Sequence, residues 1–248
     1  MKFSLLQENK IPPIKTFIIH VSTAIDREHH MLQQISGRNL SYQFILDGDK
    51  DQLTEEVLDK YFTEEMKKVS NGTSCAYKHI LAYEYMIKDQ TDFALILEDD
   101  IELDHVKFDE VLLKIMNELK TKNISNFLIS LEDSNLKYVK ASERKPNQLL
   151  YPKEKGRMAG AYLLDLKAAN NLLREIKNNK CALPIDWFHN HCSENNVIKI
   201  WWAHPTIACQ GSLSGTMKSL IDDKPANYFR IISFKIQRLY KKIIYSMR

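Results

Sequence analysis

Phe93-Ala94-Leu95-Ile96-Leu97 is an unbroken apolar run, and three acids, Glu98-Asp99-Asp100, follow it with no spacer. A short continuous apolar run of this kind reads as a central strand covered on both faces, which commits the chain to helices above and below a sheet. In an open α/β sheet the ligand crevice lies beyond the carboxyl ends of the strands, so acids placed directly after the most buried strand face it. Carboxylates held this close repel one another unless a cation or a basic partner intervenes. Hard oxygen donors suit Mg²⁺ or Mn²⁺, which keep positions for water and substrate phosphates. The competing reading is a solvated strand-to-loop turn, where Asp is common.

Strands and helices alternate on either side of this run. Thr16–Val21 and Tyr42–Leu46 read as strands, with a helix over 22–32 between them and Asp47-Gly48-Asp49 as a turn after the second. Residues 54–68 read as one or two surface helices, and Thr73 or Ser74 can cap a helix running to about Lys88. Then follow a helix over 107–120, a strand over 127–131, a strand over 159–166, a helix over 167–177, a helix after Pro184 that contains Trp187, and a strand over 197–202. This alternation predicts a largely parallel α/β sheet in one domain, and 248 residues suffice for it. Only 7 Gly and 7 Pro are present, with no recurring period, which excludes collagen-like, solenoid and low-complexity classes.

The net charge of +3 is too small to argue for nucleic acid. The tail is different. From Asn227 onward Arg230, Lys235, Arg238, Lys241, Lys242 and Arg248 stand among apolar and aromatic residues with no acid. That composition suits either a basic amphipathic helix on an anionic membrane surface or a terminal helix docked on its own domain. Met1–Lys10 has no apolar run with a small-residue cleavage site, so neither signal peptide nor anchor is read, and a cytoplasmic protein is expected, peripheral on the inner membrane face if the tail binds lipid. On that footing the acceptor tripeptides Asn71-Gly72-Thr73 and Asn123-Ile124-Ser125 are unmodified. Cys75, Cys181, Cys192 and Cys209 form no CxxC pair and read as reduced thiols.

Leu95-Ile96-Leu97-Glu98-Asp99-Asp100-Ile101 resembles the acidic signature of glycosyltransferase family 25, which includes bacterial lipooligosaccharide galactosyltransferases. Further blocks follow in the family's order. Ile19 to Arg27 resembles its opening strand followed by Ser22 and the Asp26-Arg27 pair, and Phe44 to Gly48 its second strand. Gly72 to His79 resembles a Gly-x-x-Cys-x-x-Ser-His block in which Lys78 replaces the expected Ser. Gly160 to Leu164, Pro184-Ile185-Asp186, and Pro205 through Gln210 to Ser214 resemble its closing elements. The resemblance spans Lys15 to Ile221, and the expected division is a domain over 14–222 and a basic tail over 223–248.

The resemblance implies a GT-A type, Rossmann-like nucleotide-sugar fold with the acidic triplet as its DxD element. It implies Mn²⁺ or Mg²⁺ as cofactor and a UDP-sugar as donor. Asp100 is the implied metal ligand, Glu98 and Asp99 hold the ribose or a metal-bound water, and Ser22, Arg27, Gln210 and Ser214 serve the donor. The implied activity is inverting transfer, foremost of galactose from UDP-galactose as a β-galactosyltransferase, onto a saccharide or lipid-linked saccharide acceptor such as the lipopolysaccharide core.

Direct displacement needs a general base on the face opposite the diphosphate. Asp186 is the choice, with a plain helix-capping aspartate as the alternative; Glu132 and Asp133 are held in reserve. His204 is the candidate to complete the metal shell. His79 falls on an apolar stripe and reads as a hydrogen-bonded core histidine. His189, His191 and Cys192 lack a second Cys/His pair at finger spacing, so zinc is rejected there. Trp187, Trp201 and Trp202 could stack on sugars, with Trp201 and Trp202 on alternate strand faces. Two other classes compete: a Mg²⁺-dependent phosphohydrolase or nucleotidyltransferase, disfavoured because no Gly-rich phosphate loop is present, and a binding module without turnover, disfavoured by the intact triplet.

Overall fold

The structure, a computed structural model, describes residues 13–218, 220 and 228–247. The expected division at 222/223 and the N-terminal segment Met1–Lys10 lie outside the described residues. In chain order the elements are β1 (Ile14–Ile19), α1 (Ile25–Ile35), β2 (Leu40–Ile45), α2 (Glu55–Tyr61), α3 (Asn71–Lys88), β3 (Phe93–Glu98) and β4 (Ile101–Leu103). There follow α4 (Phe108–Lys122), β5 (Phe127–Ser130), β6 (Leu150–Lys153), β7 (Ala161–Asp165), α5 (Leu166–Asn179) and α6 (Ile185–Glu194). β8 (Lys199–Ala203), β9 (Ala208–Gln210), α7 (Gly211–Ser214) and α8 (Tyr228–Met247) complete the order.

Seven strands form one sheet in the order β2-β1-β3-β7-β5-β8-β6. β2, β1, β3, β5 and β8 run one way, and β7 and β6 run against them. The sheet is therefore mixed but mostly parallel, in a Rossmann-like α/β layout. β3 sits inside it, and its period-2 alternation feeds two cores: Ala94 and Ile96 pack with Ala76, Ile80, Leu172 and Phe188 from α3, α5 and α6. Leu95 and Leu97 pack on the other face with Met31 of α1 and Phe108 and Ile115 of α4. Such two-sided burial explains why the run carries no polar residue before Glu98.

The chain leaves β1 towards β2 and then returns past β1 to β3, so β1 and β3 flank a topological switch point. Ile19 stands opposite Glu98 in their parallel register, which places the residues after β1 beside the acidic triplet at the crevice. A second, two-stranded sheet pairs β4 with β9, setting Ile101 opposite Gln210. It folds the chain back over the triplet, and the Gly211 N–H donates to the Asp100 carbonyl at 2.6 Å.

The structure departs from the sequence reading at the start of α3 and in three short strands. α3 begins a turn earlier than a Thr73 or Ser74 cap implies: Ser70 is the N-cap, its hydroxyl accepting from the Thr73 N–H at 3.1 Å. A serine in extended geometry before the first turn serves better than one inside it. β4, β6 and β9 were not expected, being too short for periodicity to register, and β6 contains Pro152, which an edge strand tolerates.

Candidate functional site

The three acids of the triplet have three different environments. Asp99 is 4% exposed; its Oδ2 accepts from His20 Nδ1 at 2.9 Å and from the Val21 N–H at 3.3 Å, and its Oδ1 pairs with the Arg27 guanidinium. Burial pushes this carboxyl up, but the His20 hydrogen bond and the Arg27 charge outweigh it and hold Asp99 below the usual range. Asp100 is 5% exposed, and its Oδ1 has no hydrogen-bond partner among the described residues. Burial raises its pKa against the hydrogen bonds from Ser212. Glu98 accepts from Gln210 Nε2 at 3.4 Å. Burial, and then the charges of Asp100, Asp99 and Asp186, push it up.

Two clefts meet at these acids. The first, of about 210 Å³, is lined by Ile19, Val21, Lys50, Asn71, Glu98 and Asp99 among others. The second, of about 440 Å³, is lined by Glu98, Asp100, Asp186, Gln210, Ser212 and Leu213 among others. Arg27, Cys75, Glu98 and Leu220 line both. Together they reach the size range of small-molecule sites. Asp186 also borders a third cleft of about 420 Å³, with Asn135, Lys155, Trp187 and Asn190. It lies in the first turn of α6, whose N-cap is Pro184, so it is not the cap. Burial raises its pKa, while the N–H groups of Trp187 and of Asp186 itself lower it.

Several expected residues converge here and others do not. Glu98, Asp100, Asp186, Gln210 and Arg27 share the second cleft. Ser22 is spent on Asp49: its N–H donates to Asp49 Oδ2 at 3.1 Å and its hydroxyl bonds the same oxygen. Ser214 donates to Glu102 Oε1 at 3.2 Å, and neither serine is among the described residues lining the two clefts. His204 lies apart from them, 6.4 Å from the Tyr151 ring; burial and the charges of Arg144 and Arg157 lower its pKa to about 4.

The reserve bases are engaged elsewhere. Glu132 is fully buried, its Oε1 accepting from the Gly160 N–H at 2.7 Å, and Asp133 is paired with Arg238 at 3.0 Å. Gly160 has a reason to be glycine: a Cβ there would stand 2.8 Å from Gln210 Nε2. Of the rejected zinc set, His189 bonds the Tyr83 hydroxyl at 2.7 Å, Cys192 is in the core and His191 is exposed.

Sequence reading missed Lys78 as a site element. Its ammonium, 1% exposed, donates to the carbonyls of His20 at 2.7 Å and Leu46 at 2.8 Å and pairs with Asp49 at 2.9 Å. It thus neutralises the carbonyl ends of β1 and β2, and a lysine in place of the expected serine was the available signal. Ser212 was also missed, since a lone serine beyond Gln210 has no pattern around it.

Asp100, with one buried oxygen unpartnered, lines the second cleft with Glu98 and Asp186, and together they offer it a set of carboxylate oxygens, the donor type that hard divalent cations take. Asp99 is not part of it, because both its oxygens are occupied.

No curated protein matches this chain in sequence. A solved structure titled "The crystal structure of apo- UDP-glucose pyrophosphorylase" aligns with a TM-score of 0.37 and 11% identity, covering 77% of this chain and 72% of that one. The model of Glycosyltransferase family 25 (LPS biosynthesis protein) matches residues 13–189, well over half of the chain. The chain therefore belongs to glycosyltransferase family 25.

Proposed function

We propose that this glycosyltransferase is a metal-dependent, inverting enzyme of the GT-A type that moves galactose from UDP-galactose onto a lipid-linked saccharide such as the lipopolysaccharide core. The observation that carries the reading is the position of Asp186, which borders both the cleft of Glu98 and Asp100 and the outer cleft beside Trp187. A carboxylate standing between two clefts can take the proton from an acceptor hydroxyl in the outer one as that hydroxyl attacks an anomeric carbon in the inner one.

The first cleft, walled by Ile19 and Val21 with Lys50 and Asn71 at its edge, suits the nucleoside of the donor. Asp100, with Glu98, would hold Mn²⁺ or Mg²⁺ against the diphosphate, where the cation supplies Lewis-acid stabilisation of the leaving group. Asp99, in the wall of that cleft, keeps Arg27 and His20 in place there. Trp187, 64% exposed beside the outer cleft, offers a face on which an acceptor sugar can stack.

A lipid-linked acceptor is supported by α8. One side of this helix is fastened to the domain by Arg238 and Lys242 on Asp133 and by Arg144 on the Tyr245 carbonyl. The opposite side presents Ile232, Ile236, Leu239, Tyr240, Ile243 and Met247, all between 39% and 80% exposed. With exposed Lys235 and no acid in the helix, that stripe fits an anionic lipid surface. Among the described residues no helix is long and apolar enough to cross a membrane.

The test is a panel of nucleotide sugars incubated with and without EDTA. UDP-galactose should be consumed only when Mn²⁺ or Mg²⁺ is present, and another preferred donor would correct the sugar alone. Metal-independent turnover, or wild-type activity in Asp100→Ala, would overturn the mechanism.

A further inference from the structure

Beside the acids, on the α3 wall of the clefts, lies a donor set of a different chemical kind. Cys75 and His79 are one helical turn apart on α3, so their side chains project from the same face. Both point at Glu98 at the end of β3: His79 Nε2 is 3.5 Å from Glu98 Oε1, and Cys75 Sγ is 3.8 Å from the same oxygen. All three donor atoms lie within 4.8 Å of one another.

We propose that Cys75, His79 and Oε1 of Glu98 bind a borderline-soft divalent cation of the Zn²⁺ class, distinct from the hard cation assigned to Asp100, with Glu98 shared between the two ions through its two oxygens. With Zn–S near 2.3 Å and Zn–N and Zn–O near 2.0–2.2 Å, tetrahedral geometry requires ligand atoms about 3.3–3.7 Å apart. The two separations to Glu98 already stand at or within a few tenths of an ångström of that range.

His79 supplies an independent observation. Its side chain is fully buried, and Nε2 has no hydrogen-bond partner among the described residues. The other ring nitrogen is tied down: Nδ1 bonds the Tyr162 hydroxyl at 2.8 Å, that hydroxyl bonds Tyr83 at 2.9 Å, and Tyr83 bonds His189 Nε2 at 2.7 Å. A metal-binding imidazole is held in this way, one nitrogen orienting the ring so that the other faces the ion.

Cys75 gives the selectivity and the entrance. A sulfur donor favours Zn²⁺ or Co²⁺ over Mg²⁺ and Mn²⁺, which prefer oxygen. Cys75 lines both clefts, so an ion reaches it from the open side. Binding converts the Cys75 thiol to thiolate and releases one proton to solvent, with no change of oxidation state. Three protein ligands leave the fourth position facing the cleft. The site does not depend on which sugar is transferred, or on whether any is.

The experiment is a Co²⁺ titration of the reduced full-length protein in excess Mg²⁺, which keeps the oxygen site filled. A single equivalent of Co²⁺ should give the strong near-ultraviolet absorption of a thiolate–cobalt bond, and Zn²⁺ should displace it. Cys75→Ser should abolish the band, while Cys209→Ser should keep it. A wild-type protein without the band, or a band that persists in Cys75→Ser, overturns the proposal. Should Cys75→Ser fail to fold, the wild-type protein still decides the matter. Zn²⁺ should slow alkylation of Cys75, mapped by mass spectrometry, by about tenfold or more, because a coordinated thiolate is shielded; an unchanged rate overturns the proposal equally.

Discussion

Oδ2 of Asp99 lies 2.9 Å from Nδ1 of His20, joining the loop after β3 to the loop after β1 at the switch point of the sheet. With Arg27 on its other oxygen, Asp99 is a structural anion inside a triplet of acids. Its neighbour Asp100 has the opposite character, buried with one oxygen unpartnered. Asp99→Asn should therefore cost about 3 kcal/mol of stability, the scale of breaking a buried ion pair. Asp100→Asn should leave stability within about 0.5 kcal/mol of wild type or raise it, because it removes an unpaired buried charge, and should abolish metal-dependent UDP binding. Urea unfolding and calorimetric UDP titration separate the two, and equal loss of stability in both variants would remove the distinction.

Asp186 stands where the inner and outer clefts meet. If it removes the acceptor proton, Asp186→Asn should lower kcat by about 10²–10⁴-fold, the range of a general base, with UDP affinity nearly unchanged. Should UDP affinity collapse in this variant, Asp186 belongs to the donor site and the base lies elsewhere.

The strand under the triplet was legible because burial on both faces leaves no polar residue in 93–97, and the same signal found β1, β5 and β7. Local pattern also located Glu98 and Asp186 at element ends. What it could not give was the partner of each acid. That Asp99 faces His20 and Arg27, 79 and 72 residues away, is decided by the parallel register of β1 and β3, which no local spacing encodes. Lys78 shows the same gap: the sequence marks it only as a lysine where the family block expects serine, and the carbonyl ends of two strands and Asp49, which make its burial tolerable, come from distant parts of the chain. Ser22 and Ser214 were placed with the donor by family order alone, and their hydroxyls are occupied by neighbouring acids.

The two faces of α8 should separate in experiment. Ile236→Glu with Leu239→Glu alters only the outward stripe and leaves Arg238 and Lys242 on Asp133. Partitioning onto vesicles rich in anionic lipid should fall by at least about tenfold, given about 1.5 kcal/mol or more for each large side chain removed from apolar surroundings, while melting temperature is unaffected. Wild-type partitioning should also weaken as salt is raised. Unchanged partitioning of the double variant would take the stripe out of membrane binding. If instead wild type is a dimer and the double variant a monomer, the stripe is an interface between copies.

Histidine burial sets an acid-side trend that a single substitution can isolate. His204 is held to about 4 by burial and by the charges of Arg144 and Arg157, below the ordinary value near 6.5. Between those values the unfolded chain carries a proton at this position and the folded chain does not, so the folded state loses stability as pH falls through the window. Fully buried Glu132, raised to about 8 chiefly by burial, works in the opposite sense: its folded form holds the proton that the unfolded form has released, favouring the fold as pH falls. The wild-type profile sums these opposed contributions, so the informative quantity is the difference between variant and wild type at each pH. For His204→Asn that difference should shift in favour of the variant as pH is lowered from about 6.5 to about 4 and stay constant above about 7.5. Urea unfolding across this range measures it directly, and a difference independent of pH would mean that His204 titrates alike in the folded and unfolded chain.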